Sequence, residues 1–228
     1  MSRPVVIIMV KAPRSGFVKT RLIPTLTAEE ASKAAACFAQ DVVANALRAA
    51  NDVIIAYTPA EGRAILEPLL PQNLLWVEQQ GRDLGERLEQ VVGYASRTGF
   101  DPLIILGADS PTLPASFIIN ASQALSSGDA EVTLGPTADG GYYLVGLRAA
   151  CRNLFRDVAW STSLAYQQTA HNAARQGLRL LELPEWYDVD APPDLLRLRN
   201  ELITNEEARL RAPATYRWLL AHAESVRP

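Results

Sequence analysis

Short apolar runs alternate with helix-length amphipathic segments along almost the whole chain. The runs fall near Val5–Val10, Val53–Tyr57, Leu74–Val77, Leu103–Leu106, Glu131–Gly135, Tyr142–Leu147 and Leu178–Leu183. Several are apolar on consecutive positions, as expected of strands covered on both faces. Between the first two, Thr27 and Glu30 have the spacing of a capping box, and Ala31, Ala34, Phe38 and Val42 follow at helical spacing. Further helices are predicted over Asp83–Ser96, Pro114–Ser126, Ser163–Arg175 and Pro193–Leu202. A second box, Thr204-Asn205-Glu206-Glu207, opens a C-terminal helical region whose Tyr216, Trp218 and Leu219 are expected to dock on the body, with a homodimer contact as the alternative. Strands alternating with helices predict an α/β fold, a mainly parallel, doubly wound mixed sheet flanked by helices.

One interval breaks the alternation. Only Pro136-Thr137-Ala138-Asp139-Gly140-Gly141 separates two strands, too little for a crossover helix, so an antiparallel strand is expected there.

Composition narrows the class. With 228 residues, 48% hydrophobic and 21% charged, the chain suits a single domain spanning 1–228, with a helical extension at about 204–228. It has no apolar run of membrane-spanning length and no signal-type cleavage site, so a cytoplasmic protein without a membrane span is expected. Cys37 and Cys151 show no CxxC spacing, and His171 and His222 lie far apart, which argues against a thiolate zinc site, HExxH chemistry or a histidine triad. A net charge of −3 argues against general nucleic-acid binding.

The strand Leu103–Leu106 runs into Gly107-Ala108-Asp109-Ser110-Pro111, placing Asp109 at a strand's C-terminal end, where open α/β sheets keep their sites. A carboxylate there suits Mg²⁺ or Mn²⁺, which need one or two acids besides the substrate's phosphates. The alternative is a cap for the helix after Pro114. Directly after the first strand, Lys11, Arg14, Lys19 and Arg21 put four cations in eleven residues, with Gly16 allowing close main-chain approach; this predicts a phosphate-binding loop, with a solvated basic loop as the alternative. The P-loop pattern fails because Val18 stands at the required glycine, and GxGxxG is absent.

Two further constellations follow. In Asp139-Gly140-Gly141-Tyr142-Tyr143, Asp139 is a candidate general base, the glycines make room for a ligand, and Tyr142 or Tyr143 offers a stacking face; a plain hairpin turn competes with that reading. In Tyr187-Asp188-Val189-Asp190, alternation points both acids the same way, making one of them a second metal ligand opposite Asp109, unless Asp190 caps a helix; Asp194 reads as a helix-start acid. Trp160 to Ser163 reads mainly as helix capping by Ser161 or Thr162.

Together, Lys-x-Pro-x-x-Gly-x-Val-Lys-Thr-Arg-Leu, Gly-x-Asp-Ser-Pro-x-Leu-Pro, Gly-Pro-x-x-Asp-Gly-Gly-Tyr-Tyr-Leu-x-Gly-Leu and the late Asp-Val-Asp resemble the radical-SAM/selenodomain-associated, arsenosugar-type GT-A glycosyltransferases of the nucleotide-diphospho-sugar transferase superfamily, over about residues 4–200. The resemblance implies a GT-A fold, Mg²⁺ or Mn²⁺, a nucleotide-sugar donor and a small-molecule acceptor. In it Lys11, Arg14, Lys19 and Arg21 match the donor loop, Asp109 the metal-binding acid and Asp139-Gly140-Gly141 the acceptor-side motif; the residues themselves add Gly16 to the loop, Asp188 and Asp190 to the metal site, Ser110, Gly140, Gly141 and Tyr142 as substrate contacts, and Asp139 and Lys19 as catalytic candidates. Asp109 departs from the Asp-x-Asp common in such enzymes. The basic loop and late acids are also similar to nucleotidyltransferases such as 2-phospholactate guanylyltransferases, which would use a nucleoside triphosphate and release pyrophosphate. A non-catalytic nucleotide-binding protein on the same fold is the third expectation.

Overall fold

A computed structural model describes residues 3–23, 25–149, 151, 153–223 and 226. Seven strands are β1 (Val5–Lys11), β2 (Val53–Thr58), β3 (Leu75–Glu78), β4 (Leu103–Gly107), β5 (Val132–Pro136), β6 (Tyr142–Leu147) and β7 (Leu180–Glu182). They form one sheet in the order β3-β2-β1-β4-β6-β5-β7, and only β6 runs antiparallel to its neighbours β4 and β5. The short link from Thr137 to Gly141 thus makes a hairpin, as its length requires.

The helices are α1 (Ala28–Ala49), α2 (Gly62–Leu66), α3 (Leu84–Arg97), α4 (Ala115–Ser127), α5 (Ala165–Arg175), α6 (Pro192–Thr204), α7 (Glu206–Arg211) and α8 (Pro213–Ala221). Alternate strand residues face opposite layers. Val6, Ile8 and Val10 join α1 and α4, while Val5, Ile7, Ile105 and Val145 join α3 and α5. Burial on both sides explains the unbroken apolar runs.

Thr27 and Glu30 form the expected capping box at α1. At α7 the cap is Asn205 rather than Thr204, which still belongs to α6; the Asn205 side chain accepts from the Ala208 amide. Leu195, Leu198, Leu202, Trp218 and Leu219 pack against Ala31, Ala34 and Phe38, so the C-terminal helices dock on the body. Asp41 of α1 clinches this, accepting from the Ala214 and Thr215 amides at 3.0 and 2.7 Å. Ser161 and Thr162 do not cap α5, whose N-cap is Leu164; Thr162 Oγ1 instead accepts from the Leu164 amide within the preceding turn. Among the described residues, no helix is long and apolar enough to cross a membrane.

Because β2 lies on one side of β1 and β4 on the other, the winding reverses between β1 and β4. A crevice is therefore expected at their carboxyl ends.

Candidate functional site

The crevice is there, a cleft of about 250 Å³ lined by the end of β1, the following loop, Ala108, Asp109 and Asp190. Lys11, the last residue of β1, is exposed at its edge, as is Arg21. Gly16 has φ +78° and open space where a side chain would stand, so its backbone is unobstructed. Arg14 is committed elsewhere: its guanidinium pairs with Glu61 at 2.6 Å and lies over the Phe17 ring. Phe17, which sequence reasoning passed over, lines the cleft with its side chain 58% exposed. An aromatic in a basic loop was the only signal that could have flagged it.

Lys19 joins the loop to the acids. It adopts a left-handed conformation, φ 48° and ψ 37°, before a 3-10 turn over Thr20–Leu22 that buries Leu22 completely. Its side chain is 6% exposed, and Nζ sits 2.6 Å from Asp109 and 2.8 Å from Asp190, whose carboxylates are 45% and 50% exposed. The ammonium therefore lies beneath two acids that still face solvent. Burial works against its charge, but Asp109 and Asp190 outweigh it and the pKa is raised.

The acids meet for a local reason. The Val189 amide donates to the Asp109 carbonyl at 2.9 Å, stitching the late segment to the loop after β4. With Val189 fully buried, its neighbours Asp188 and Asp190 both turn toward Asp109. Ser110 Oγ donates to Asp188 at 2.5 Å, a contact internal to the site. Burial, then the charges of Asp109 and Asp190, push the Asp188 carboxyl up to about 7, with Ser110 and Lys19 opposing.

Both capping alternatives lose. The N-cap of α4 is Pro114, with no side-chain cap, so Asp109 is free of that duty. At α6 Asp194 performs the capping, accepting from the Asp190 and Ala191 amides, and leaves the Asp190 carboxylate to Lys19.

The Asp-Gly-Gly segment needs correction. Gly140 makes room for the chain itself: at φ +86°, a Cβ there would come within 2.2 Å of the Ser163 carbonyl oxygen. Gly141 donates its amide to Asp139 at 3.1 Å, and Thr137 donates its hydroxyl at 2.6 Å, so Asp139 organises its own turn. The Thr137 hydrogen bond is the main cause holding the Asp139 carboxyl below its usual range; burial opposes, and Arg21 adds a Coulombic pull. Tyr142 is no open stacking face. Its ring meets Trp160 edge-on, and burial pushes its phenol upward. Tyr143 points to the opposite layer and donates to the Pro184 carbonyl at 2.9 Å. On a sheet covered on both sides, neither ring is free.

Among the described residues, no three His, Cys, Asp or Glu side chains form a ready-made metal cage. Asp109 and Asp190 nevertheless fit a hard divalent ion, because they supply charged oxygens to one shared cation position and keep exposed faces. Mg²⁺ ordinarily takes only one or two carboxylates, completing its shell with water and substrate oxygens.

A comparison with curated proteins found no match. Among solved structures, the chain is similar to a candidate nucleotide-diphospho-sugar transferase from Desulfovibrio desulfuricans G20, with 32% identity, a TM-score of 0.89, and 100% of this chain and 98% of that one covered. The fold also matches a CMP:2-keto-3-deoxy-manno-octonic acid synthetase complexed with CTP, at TM-score 0.59 and 14% identity over 89% and 99% of the two chains. A 4-diphosphocytidyl-2C-methyl-D-erythritol synthase matches at 0.55 and 13% over 85% and 95%. The family model described as "Uncharacterized protein conserved in bacteria (DUF2064)" matches residues 41–162, from α1 through the Asp109 loop to the Asp-Gly-Gly hairpin, and the chain belongs to that family.

Proposed function

We propose that this chain is a metal-dependent transferase that uses a nucleotide-activated donor, with a nucleotide sugar as donor and a small-molecule hydroxyl as acceptor. The observation that carries the reading is the meeting of Asp109 and Asp190 on one cation, at the head of a cleft edged by Lys11 and Arg21, where the sheet reverses its winding. Similarity to the Desulfovibrio protein over the whole chain supports the same donor class. The narrower kinship with radical-SAM-associated transferases belongs to this proposal and rests on the sequence motifs alone.

Asp109 and Asp190 would hold Mg²⁺ or Mn²⁺, with Asp188 behind them; when bound, the ion supplies neutralisation of the negative charge that gathers on a departing diphosphate. Lys11 and Arg21 attract the donor's phosphates and stabilise the same charge from the cleft edge. Phe17 offers an aromatic face to a nucleobase. Asp139, ionised and beside Arg21, is the acid on the acceptor side.

One observation favours nucleotidyl transfer as the second reading. Thr137 and Gly141 hold Asp139 below its usual pKa, which makes it a weak base, and a phosphate nucleophile needs none. The test is product analysis with Mg²⁺ or Mn²⁺ across nucleotide sugars and nucleoside triphosphates. Nucleoside diphosphate release supports sugar transfer, pyrophosphate release supports the second reading, and binding without turnover refutes both in favour of a sensor. Asp139→Asn should abolish sugar transfer and only weaken nucleotidyl transfer.

A further inference from the structure

Lys19 occupies the position in which the proposed metal would be held, and it does so from beneath. Its ammonium is almost completely desolvated, its Nζ takes one oxygen from Asp109 and one from Asp190, and its backbone is left-handed, a conformation that β-carbon-bearing residues adopt at a cost. Leu22, buried and hydrogen-bonded through its amide to the Lys19 carbonyl at 2.9 Å, fixes the backbone that aims this side chain. The two carboxylates therefore have a built-in counter-ion whenever nothing else is bound.

We propose that Lys19 makes the site refuse a free divalent ion and accept it only together with a diphosphate. A metal entering alone would face a buried ammonium already drawing on both of its carboxylate ligands, and like charges a few ångströms apart repel, the more so where one of them is cut off from solvent as Lys19 is. A diphosphate adds negative charge that, together with the Asp109 and Asp190 carboxylates, outweighs the metal and the Lys19 ammonium. Its oxygens complete the metal's shell, and they give the Lys19 ammonium a new partner on the cleft side, where Lys19 is among the lining residues. The ligand of this site is then the metal–diphosphate complex, not the metal followed by the nucleotide. This rests on the metal-dependent reading above and adds an order of assembly to it.

The experiment measures retention of Mn²⁺ by equilibrium dialysis, read by electron paramagnetic resonance, with and without inorganic pyrophosphate. Three full-length proteins are compared: wild type, Lys19→Met and Lys19→Arg. Wild type should hold Mn²⁺ weakly alone and at least tenfold more tightly with pyrophosphate. Lys19→Met should bind Mn²⁺ alone at least tenfold more tightly than wild type, and Mn²⁺ alone should raise its melting temperature more than that of wild type. Lys19→Arg, which keeps the charge, should retain the refusal. Should the methionine variant misfold, Lys19→Gln serves in its place. Equal or weaker Mn²⁺ binding after loss of the charge overturns the inference while leaving the metal-dependent reading standing, provided wild type takes up Mn²⁺ with pyrophosphate. If no protein retains Mn²⁺ in any condition, both fall.

Discussion

Gly140→Ala tests whether the Asp-Gly-Gly turn is built for the chain's own packing. The new methyl carbon would meet three backbone atoms of Ser163, at 2.2, 2.7 and 2.8 Å, and no side-chain rotation relieves that. Holding a β-carbon at φ +86° costs about 1–3 kcal/mol. Moving Ser163 away also endangers the hydrogen bond from the Tyr166 amide to the Gly140 carbonyl, 2.9 Å long and worth about 0.5–1.5 kcal/mol. The sum is about 3 kcal/mol, which for a domain of this size lowers Tm by roughly 6–12 °C. Gly128→Ala is the matched control: its φ is +82°, but nothing stands within 4 Å of the added carbon, so only the conformational cost applies. Thermal and urea unfolding of both variants would separate the steric part from the torsional one. Equal losses in the two variants would refute the packing argument and restore the reading in which Gly140 leaves space for a ligand.

Three other outcomes follow from the site. Asp109→Asn and Asp190→Asn should each reduce turnover by at least about a hundredfold and also lower stability by about 1–3 kcal/mol, because each removes one of the two carboxylates that compensate the buried Lys19 ammonium; parallel kinetics and urea melts check this. Asp188, with its pKa raised from 3.8 to about 7, binds more protons folded than unfolded between those values, so its contribution to stability falls as pH rises through that window. Asp188→Asn should therefore gain on metal-free wild type as the pH of a urea melt goes from about 5 to about 8, and a constant difference would contradict the assigned desolvation. Phe17→Ala should weaken nucleotide binding by about five- to a hundredfold, the usual range for base stacking, and leave inorganic pyrophosphate binding unchanged in calorimetry; equal loss of both ligands would argue for a loop defect.

Much of this was legible in the chain. Burial on both faces writes itself as consecutive Val, Ile and Leu in the central strands β1, β2 and β4, the exposed edge strands β3 and β7 showed only as short apolar runs between helices, and the short link at Pro136 to Gly141 revealed the antiparallel strand. Asp109, Lys19 and Asp190 could be singled out because strand ends in this topology converge. What escaped depends on partners remote in sequence. Arg14 looks like any loop cation until Glu61 is found beside it, and Gly140 looks like a ligand's glycine until Ser163 packs against it. Tyr142 and Tyr143 could not both be free once helices covered both layers, but nothing local says which layer each ring enters.

The main-chain bond between Val189 and the Asp109 carbonyl divides the polypeptide into two workshops. Everything from Ser110 to Asp188 leaves the neighbourhood of the Lys19 ammonium and returns to it, with its ends fastened by an amide and a carbonyl that any residue other than proline at position 189 could provide. Hairpin, α5 and edge strand can thus vary in sequence while the loop that aims Lys19 at Asp109 and Asp190 keeps its shape.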